Sequence, residues 1–353
     1  MRANELPIPR HYDPEKAGRI WKVPYAERAA GAEAWAAEHG IRPSGEDAMK
    51  VSLVVVDMQN TFCHPDFEMY VGGPSGEGAV EDTRRLCEFL YRNLHRITRV
   101  CPTLDTHGPM QIFHPLFWTG PDGEHPGPLA TISVEDVETG RWRFNEALAP
   151  ALGISAGQGR RNVEHYVRTL KATGKFELTV WPYHGILGGV GHALAALLEE
   201  AIFFHSAARA ARPDFRIKGD HPFTEHYSVL GPEVETDADG NRLAGEQRDF
   251  LNTLTESDRV IVAGEAKSHC VAWTVNDLLG KIRERDESLV RKVYLLEDCT
   301  SPVVVPGIAD FSREADSAFE RFRKAGMHVV RSTDPMDEWP EFAGRLPRGP
   351  DSS

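Results

Sequence analysis

The chain has 353 residues, 41% of them hydrophobic and 26% charged, which is typical of a globular protein with a sizeable core. Its 53 acids against 40 bases give a formal net charge of -13, which argues against a nucleic-acid or anionic-membrane partner. Five scattered cysteines without a C-x-x-C pair exclude a disulfide framework and indicate a reducing compartment. With neither an apolar run of about 18 residues nor a signal-peptide pattern, we expect a soluble, cytoplasmic protein.

Strands and helices alternate along most of the sequence. Residues 1–50 carry prolines, charges and one alanine-rich helical stretch, and we predict an N-terminal extension that lies on the core. Apolar runs and helical periodicity then predict these elements in chain order: strand 51–56, helix 80–98, a strand at "RVCPTLDTH", helix 190–207, strand 259–266 with a helix after it, a strand at "KVYLLEDC", helix 309–325 and a strand at "MHVVRS". This alternation predicts an α/β fold over residues 51–335, with a doubly wound, mostly parallel sheet flanked by helices. A C-terminal tail is expected at 336–353.

The segment from about 115 to 178 interrupts the alternation. It begins rich in glycine and proline, and a hairpin is predicted for "ATISVEDVETGRWRFN" with its turn at Thr139 and Gly140. A short helix near 161–172 ends the segment. We therefore predict an inserted subdomain or lid.

Side chains capable of chemistry follow several of the predicted strands. They are Asp57, Asp105 with His107, Lys218 and Cys270. Because ligands collect at the carboxyl ends of the strands in an open parallel sheet, we expect these side chains to converge. Cys270 lies in the first turn of a helix, where the helix N-terminus is expected to lower the thiol pKa and the preceding loop can offer N–H groups to an oxyanion. A buried structural cysteine is the alternative for this position.

A metal site is a second hypothesis for the same edge. Asp105 and His107 are two residues apart, so both side chains can point the same way in an extended segment. His184 in "WPYHG" could complete a mixed oxygen–nitrogen site for zinc, iron or manganese, with His114 as a possible fourth ligand. The alternative is a turn that carries a surface histidine.

Taken together, these stretches resemble the nicotinamidase/isochorismatase-like cysteine hydrolases, specifically their metal-containing nicotinamidase branch. Each motif is weak alone, and the specificity comes from their combination and order. The segments that carry the resemblance are "VVVDMQNTFC" (54–63), "TLDTH" (103–107), "WPYHG" (181–185), "IKG" (217–219), "HYS" (226–228), "VAGEAKSHCVAWTVNDL" (262–278) and "LLEDCTS" (295–301). It spans roughly residues 50 to 330, outside the inserted segment.

The resemblance implies a catalytic triad and a divalent metal, with zinc expected first and iron or manganese as alternatives. The two sets of residues are the triad Asp57, Lys218 and Cys270 and the ligands Asp105, His107 and His184. Amide hydrolysis needs a nucleophile, an oxyanion hole and an acid for the departing amine. Asp57 can take the thiol proton and later give it to ammonia, while Lys218 holds the pair.

The resemblance also implies an oxyanion hole and an aromatic substrate site. A non-proline cis peptide is expected between Glu265 and Ala266, with the N–H groups of Ala266 and Cys270 forming the hole. A flat substrate would lie between Phe62 and Trp181, with Tyr227 beside them. The chain departs from the family pattern at Glu265, where an apolar residue is usual, and at Gly185, where a cysteine is frequent.

The leading prediction is a cysteine amidohydrolase that releases ammonia from nicotinamide or a similar small heteroaromatic amide through a thioester. A homo-oligomer is expected from the family, without nucleic-acid or membrane partners. One alternative keeps the triad but acts on a ureido or carbamoyl compound without metal. Another is a catalytically silent binding or assembly module. An isochorismatase proper is disfavoured because its vinyl-ether chemistry does not require the predicted metal ligands in "TLDTH" and "WPYHG".

Overall fold

The computed structural model describes residues 4–342. Its helices are α1 Tyr25–Glu38, α2 Asn60–Cys63, α3 Gly78–Arg92, α4 Val134–Glu138, α5 Ala156–Thr173, α6 Ala196–Arg209, α7 Arg248–Glu256, α8 Cys270–Arg285 and α9 Ser312–Ala325. Its strands are β1 Val51–Val56, β2 Arg99–Asp105, β3 Trp118–Thr119, β4 Thr131–Ile132, β5 Arg143–Phe144, β6 Leu178–Thr179, β7 Arg216–Lys218, β8 Arg259–Gly264, β9 Val293–Leu296, β10 Val304–Val305, β11 Ala309–Asp310 and β12 His328–Val330. Within residues 4–342, none of these helices combines the length and apolarity that a membrane crossing requires.

Six strands form the central sheet in the order β12-β9-β8-β1-β2-β7, and every neighbouring pair is parallel. From β1 the chain first builds outward to β2 and β7, and later returns to build β8, β9 and β12 on the other side. This change of direction makes a crevice at the carboxyl ends of β1 and β8, where open α/β sheets bind their ligands. The predicted doubly wound α/β fold is confirmed.

Strand β1 is buried on both faces, as its uninterrupted apolar sequence predicts. Val51, Leu53 and Val55 belong to the apolar core that includes residues of α3 and α6. Val54 and Val56 point to the opposite face and join residues of α7, α8 and α9. Helix layers therefore cover both faces of the sheet, and the end of β1 is held between them.

The hairpin predicted between residues 130 and 145 is wrong. Residues Val134–Glu138 form α4, and Ser133 caps this helix in a reciprocal capping box with Asp136. The short strands on either side pair elsewhere, β4 with β6 and β5 with β3. The predicted helix near 161–172 is longer, Ala156–Thr173. Together these elements enclose an apolar cluster of their own beside the sheet.

Both chain ends of the described range pack on the sheet domain. Helix α1 lies against α6, where the rings of Trp35 and Phe204 are 5.6 Å apart and Arg28 Nε is 2.7 Å from Glu200 Oε1. At the other end, the buried Trp339 stacks on Phe89 of α3. The predicted tail therefore packs as far as residue 342, and its residues 343–353 lie outside the described range.

Candidate active site

Asp57, Lys218 and Cys270 meet at the carboxyl edge of the sheet. Lys218 Nζ lies 2.8 Å from Asp57 Oδ2 and 3.5 Å from Cys270 Sγ. All three residues are buried, and Cys270, at 8% relative exposure, is the most accessible of them. Asp57 has φ +46°, a left-handed conformation uncommon for residues other than glycine, and its Oδ1 accepts a hydrogen bond from the Thr103 hydroxyl. The three residues thus form one contiguous group of a thiol, an ammonium and a carboxyl group.

Burial determines the protonation of the thiol. It raises the pKa of Cys270 well above its usual value, and the nearby Lys218 ammonium only partly offsets this effect. The expectation that the helix N-terminus would lower the thiol pKa is therefore wrong, because the first turn of α8 is buried beside two carboxylates. Burial also raises the pKa of Asp57, against the influence of Lys218. A neutral thiol next to a carboxylate with increased proton affinity is suited to proton transfer between them.

Lys218 links the triad to the predicted metal ligands. Its Nζ lies 2.8 Å from Asp105 Oδ1 and donates a hydrogen bond to the His226 carbonyl at 2.7 Å. Burial alone would lower the pKa of Lys218, but Asp105 and Asp57 outweigh it and raise that pKa well above the usual value. Lys218 is therefore a permanent cation between two buried carboxylates.

Asp105, His107 and His184 bring three ligand atoms together. Asp105 Oδ2 is 2.9 Å from His107 Nε2 and 3.5 Å from His184 Nε2, and the three atoms lie within 4.8 Å of one another. The opposite nitrogens are fixed: His107 Nδ1 is 2.9 Å from the Gly219 carbonyl and His184 Nδ1 is 2.8 Å from the Pro182 carbonyl.

This hydrogen bonding tests whether a metal fits. Because a carbonyl only accepts, each Nδ1 must carry the proton, and in the neutral imidazole the Nε2 lone pair then faces the Asp105 carboxylate. The two Nε2 lone pairs and the Asp105 carboxylate repel one another at this separation unless a cation lies between them. One carboxylate and two imidazoles suit zinc, iron or manganese, so the residues fit a divalent metal.

His114 lies beside this cluster. Its ring is 5.8 Å from that of His107 and 5.5 Å from that of His184, and burial lowers its pKa to about 3. Among residues 4–342, the group of converging metal-ligand atoms comprises Asp105, His107 and His184 without it. A ligand role for His114 stays a prediction.

Two glycines permit the close packing around Asp105. Gly185 has φ +56°, and a Cβ there would lie 2.7 Å from the Asp105 carbonyl oxygen. Gly219 has φ +84°, and a Cβ there would lie 2.5 Å from His107 Cε1. The glycine at 185, a departure from the family pattern, is thus explained by this close backbone approach.

Gly219→Ala is expected to destabilise the protein by roughly 1–3 kcal/mol, since overpacking and a left-handed backbone both penalise the added methyl group. Urea unfolding of the variant beside wild type measures this loss. Gly231→Ala is the matched control, because a Cβ at Gly231 meets nothing within 4 Å. Equal stability of the two variants would contradict the packing described for Gly219.

Several aromatic side chains lie near the predicted metal ligands and Cys270. The Phe62 ring lies 5.8 Å from that of His184 at 68°. Trp181 Nε1 donates a hydrogen bond to Tyr227 Oη at 3.2 Å, which fixes the two rings relative to each other. Phe62 thus contacts a predicted metal ligand, and Trp181 contacts Tyr227; substrate binding by these three residues stays a prediction.

Two further aromatic residues join this region and were missed from the sequence. The His269 ring lies 5.7 Å from Trp181 and 5.5 Å from Tyr227, and burial lowers its pKa to about 4. Phe176, at the end of the inserted segment, lies 5.3 Å from His269. The position of His269 directly before Cys270 could have indicated that this histidine lies in the site. For Phe176 the sequence offers no such indication, because its contact depends on how the insertion folds.

The loop after β8 contains a cis peptide between Glu265 and Ala266. The Ala266 carbonyl accepts hydrogen bonds from the N–H groups of His269 at 3.0 Å and Val271 at 3.2 Å, which closes a tight turn before Cys270. The Glu265 side chain is fully buried, and its carboxylate accepts a hydrogen bond from the Ser301 N–H at 3.3 Å.

Comparison with known proteins gives low similarity. No family model and no curated protein matches the chain. Among solved structures, the nicotinamidase/pyrazinamidase of Acinetobacter baumanii is 18% identical with a TM-score of 0.47, over 82% of this chain and 99% of that chain. Yeast nicotinamidase Pnc1p is 18% identical with a TM-score of 0.48, over 79% and 99%. A pyrazinamidase of Pyrococcus horikoshii in complex with zinc is 17% identical with a TM-score of 0.42, over 80% and 99%.

Proposed function

We propose that the protein is a cysteine amidohydrolase of the nicotinamidase-like kind, which releases ammonia from nicotinamide or a similar small heteroaromatic amide. The observation that carries this proposal is the position of Lys218 Nζ, 2.8 Å from Asp57 Oδ2 and 3.5 Å from Cys270 Sγ. A nucleophile, a proton acceptor and a fixed cation are the parts that amide cleavage requires, apart from donors to the oxyanion. The donors that we propose for the oxyanion are the backbone N–H groups of Ala266 and Cys270, in the turn before α8 and at its first residue.

In the first half of the reaction, Asp57 takes the proton from Cys270 Sγ as the sulfur attacks the amide carbon. The oxygen becomes an oxyanion, which the N–H groups of Ala266 and Cys270 bind. Asp57 then gives its proton to the amide nitrogen, the C–N bond breaks, and ammonia leaves. The acyl group stays on the sulfur as a thioester.

The second half reverses the proton transfers. Asp57 takes a proton from water as the water oxygen attacks the thioester carbon. The C–S bond breaks, and Asp57 returns the proton to the departing sulfur. The products are the carboxylic acid and the free Cys270 thiol. Lys218 keeps its charge throughout and stabilises the anionic member of the pair at each stage.

We further propose that Asp105, His107 and His184 hold a divalent metal, with zinc as the first candidate. When bound, such an ion supplies a Lewis-acid position for a heteroaromatic ring nitrogen. The chain's own part is to hold the ring: Phe62 and Trp181 contact its faces, with Tyr227 fixed by the Trp181 indole. The substrate carboxamide would then extend toward Cys270.

The test is ammonia release from nicotinamide by the purified protein, with metal content determined by mass spectrometry on the same sample. Ammonia release with about one equivalent of metal supports the proposal. Release of ammonia only from ureido or carbamoyl compounds, by metal-free protein, would replace it with the first alternative. Protein with neither metal nor activity on any of these compounds would be the silent module. Sedimentation of the same sample tests the predicted homo-oligomer.

His184→Ala is expected to lower metal affinity by at least about 100-fold, more than the loss of an outer-shell partner costs. Ammonia release should fall with metal occupancy. Metal titration followed by calorimetry measures the affinity. The matched control is His328→Ala, a partly buried histidine at the start of β12 that stacks on Tyr294. Unchanged metal affinity in His184→Ala would remove His184 from the proposed ligand set.

A further inference from the structure

Behind the loop that precedes Cys270, Glu265 and Asp82 form a pair of buried carboxyl groups. Their relative exposures are 0% and 1%. Both side chains contact Ser301, whose N–H donates to Glu265 Oε2 at 3.3 Å and whose hydroxyl donates to Asp82 Oδ2 at 2.5 Å. The proposed reaction does not use either carboxyl group.

The charges around this pair can compensate one ionised carboxylate but not two. The facing cation is Arg85, whose Nη2 donates to Asp82 Oδ1 at 2.8 Å while Nη1 lies 3.3 Å from Glu81 Oε2. The other titratable groups near the pair are Cys63, Tyr70 and Cys299, and burial raises the pKa of all three, so they stay neutral. Two adjacent carboxylates away from water cannot both ionise without a large cost, so the pair retains one proton.

The proton belongs on Glu265. Burial and the neighbouring Asp82 raise the pKa of Glu265 well above its usual value. Burial raises the pKa of Asp82 as well, but the Ser301 hydroxyl and the Arg85 guanidinium donate to its carboxylate and oppose this rise, so Asp82 is the more acidic of the two. The Glu265 and Asp82 side chains are within hydrogen-bonding reach, so a protonated Glu265 can donate to Asp82. Glu265 Oε1 otherwise has no hydrogen-bond partner among the described residues.

The backbone around Glu265 connects this pair to the proposed machinery. The Glu265 N–H donates to the carbonyl of Val56, the residue before Asp57, at 2.8 Å. The Lys267 N–H donates to the Ser301 carbonyl at 2.8 Å, so Ser301 holds the loop from both sides of Ala266. A movement of the Glu265 side chain would therefore displace the backbone at Ala266 and Cys270.

We propose that protonated Glu265, through its hydrogen bond to Asp82, is a positioning residue that holds the loop 265–270 in the geometry in which Cys270 reacts. The proposal rests on the proposed function for its effect on catalysis. Ionisation of Glu265 places a second negative charge beside Asp82 and removes the hydrogen bond, so the loop shifts and the reaction slows. The carboxyl pair thereby makes activity fall as pH rises through the pKa of Glu265.

The experiment compares wild type with Glu265→Gln, whose amide can donate to Asp82 at every pH. We expect kcat/KM of the wild type to fall about tenfold per pH unit above the pKa of Glu265, whereas that of Glu265→Gln stays flat over the same range. Below that pKa the two should agree within about threefold, since both then donate to Asp82. Glu265→Leu should be slower at every pH. The matched control is Glu200→Gln, a buried carboxylate on α6 paired with Arg28, whose profile should parallel wild type.

A second readout needs no substrate. The folded-state pKa of Glu265 is raised, so its stabilisation is complete at low pH and is lost as pH rises through that pKa. Urea unfolding should therefore show wild type losing stability relative to Glu265→Gln as pH rises. The rate of Cys270 alkylation by iodoacetamide, measured over the same range, reports the loop geometry. If no amide is hydrolysed, diverging stability and alkylation profiles still support the positioning role while the proposed function fails. Parallel profiles for wild type and Glu265→Gln in either readout would overturn the inference.

Discussion

Cys270→Ala is expected to lower kcat for ammonia release by roughly ten-thousand-fold or more, because removal of a nucleophile leaves only binding and oxyanion stabilisation. Cys270 Sγ is the atom within reach of both the Lys218 ammonium and, by hydrogen bonding, the Asp57 carboxylate. The substitution removes a small buried side chain and leaves the Lys218–Asp57 pair intact. The variant should therefore fold and should still bind metal.

The control for this prediction is Cys101→Ala. Cys101 is a second buried cysteine, the third residue of β2 and four residues before the carboxyl end of that strand. It should retain wild-type kcat, and alkylation with mass spectrometry should label Cys270 in it. Residual activity above about a hundredth of wild type in Cys270→Ala would rule out the thioester route. Water activated directly by the metal would then be the reaction to test.

The convergence of the site could be predicted because it follows from topology. In a parallel sheet, residues that follow different strands meet at one edge, so Asp57, Asp105, Lys218 and Cys270 could be placed together from their positions after apolar runs. Strand β1 is an example of a feature that could be predicted from the sequence. Its unbroken apolar run requires a covering layer on each face of the sheet, and residues of α3 and α8 supply these layers.

The remaining features depend on packing that no local pattern encodes. The Cys270 thiol pKa is decided by the burial of the first turn of α8, which outweighs the helix N-terminus. The segment around Ser133 alternates like a hairpin, yet the capping box with Asp136 starts a helix there. Glu265 stands where the resemblance implies an apolar residue, and only the tertiary structure places its carboxyl group against Asp82 and Ser301.

Two buried carboxylates of the site share a single lysine as their counterion. Asp57 and Asp105 are both buried carboxylates, and each has an oxygen 2.8 Å from Lys218 Nζ. One ammonium neutralises one of these charges, and the second is left to the histidine cluster and the cation proposed there. We therefore expect Lys218 to contribute to stability as well as to the proposed reaction, and the two contributions can be measured separately.

Lys218→Met is expected to destabilise the protein by about 3–5 kcal/mol, the usual cost of removing one partner from a buried ion pair, and to abolish ammonia release. Methionine fills similar volume, so the loss reports charge and not a cavity. Urea unfolding at constant metal concentration measures it. Adding Asp57→Asn to Lys218→Met should recover roughly 1–3 kcal/mol, since it removes one of the uncompensated charges.

The matched control is Lys292→Met. Lys292 is equally buried, but it donates to the carbonyls of Thr255 and Ser257, and burial lowers its pKa to about 8. Combining this substitution with Asp57→Asn should give additive losses, because the two residues share no contact. If the losses for Lys218→Met and Asp57→Asn were additive, Lys218 would not compensate the charge of Asp57. The proposed role of this cation in holding the thiol and the carboxylate together would then be wrong.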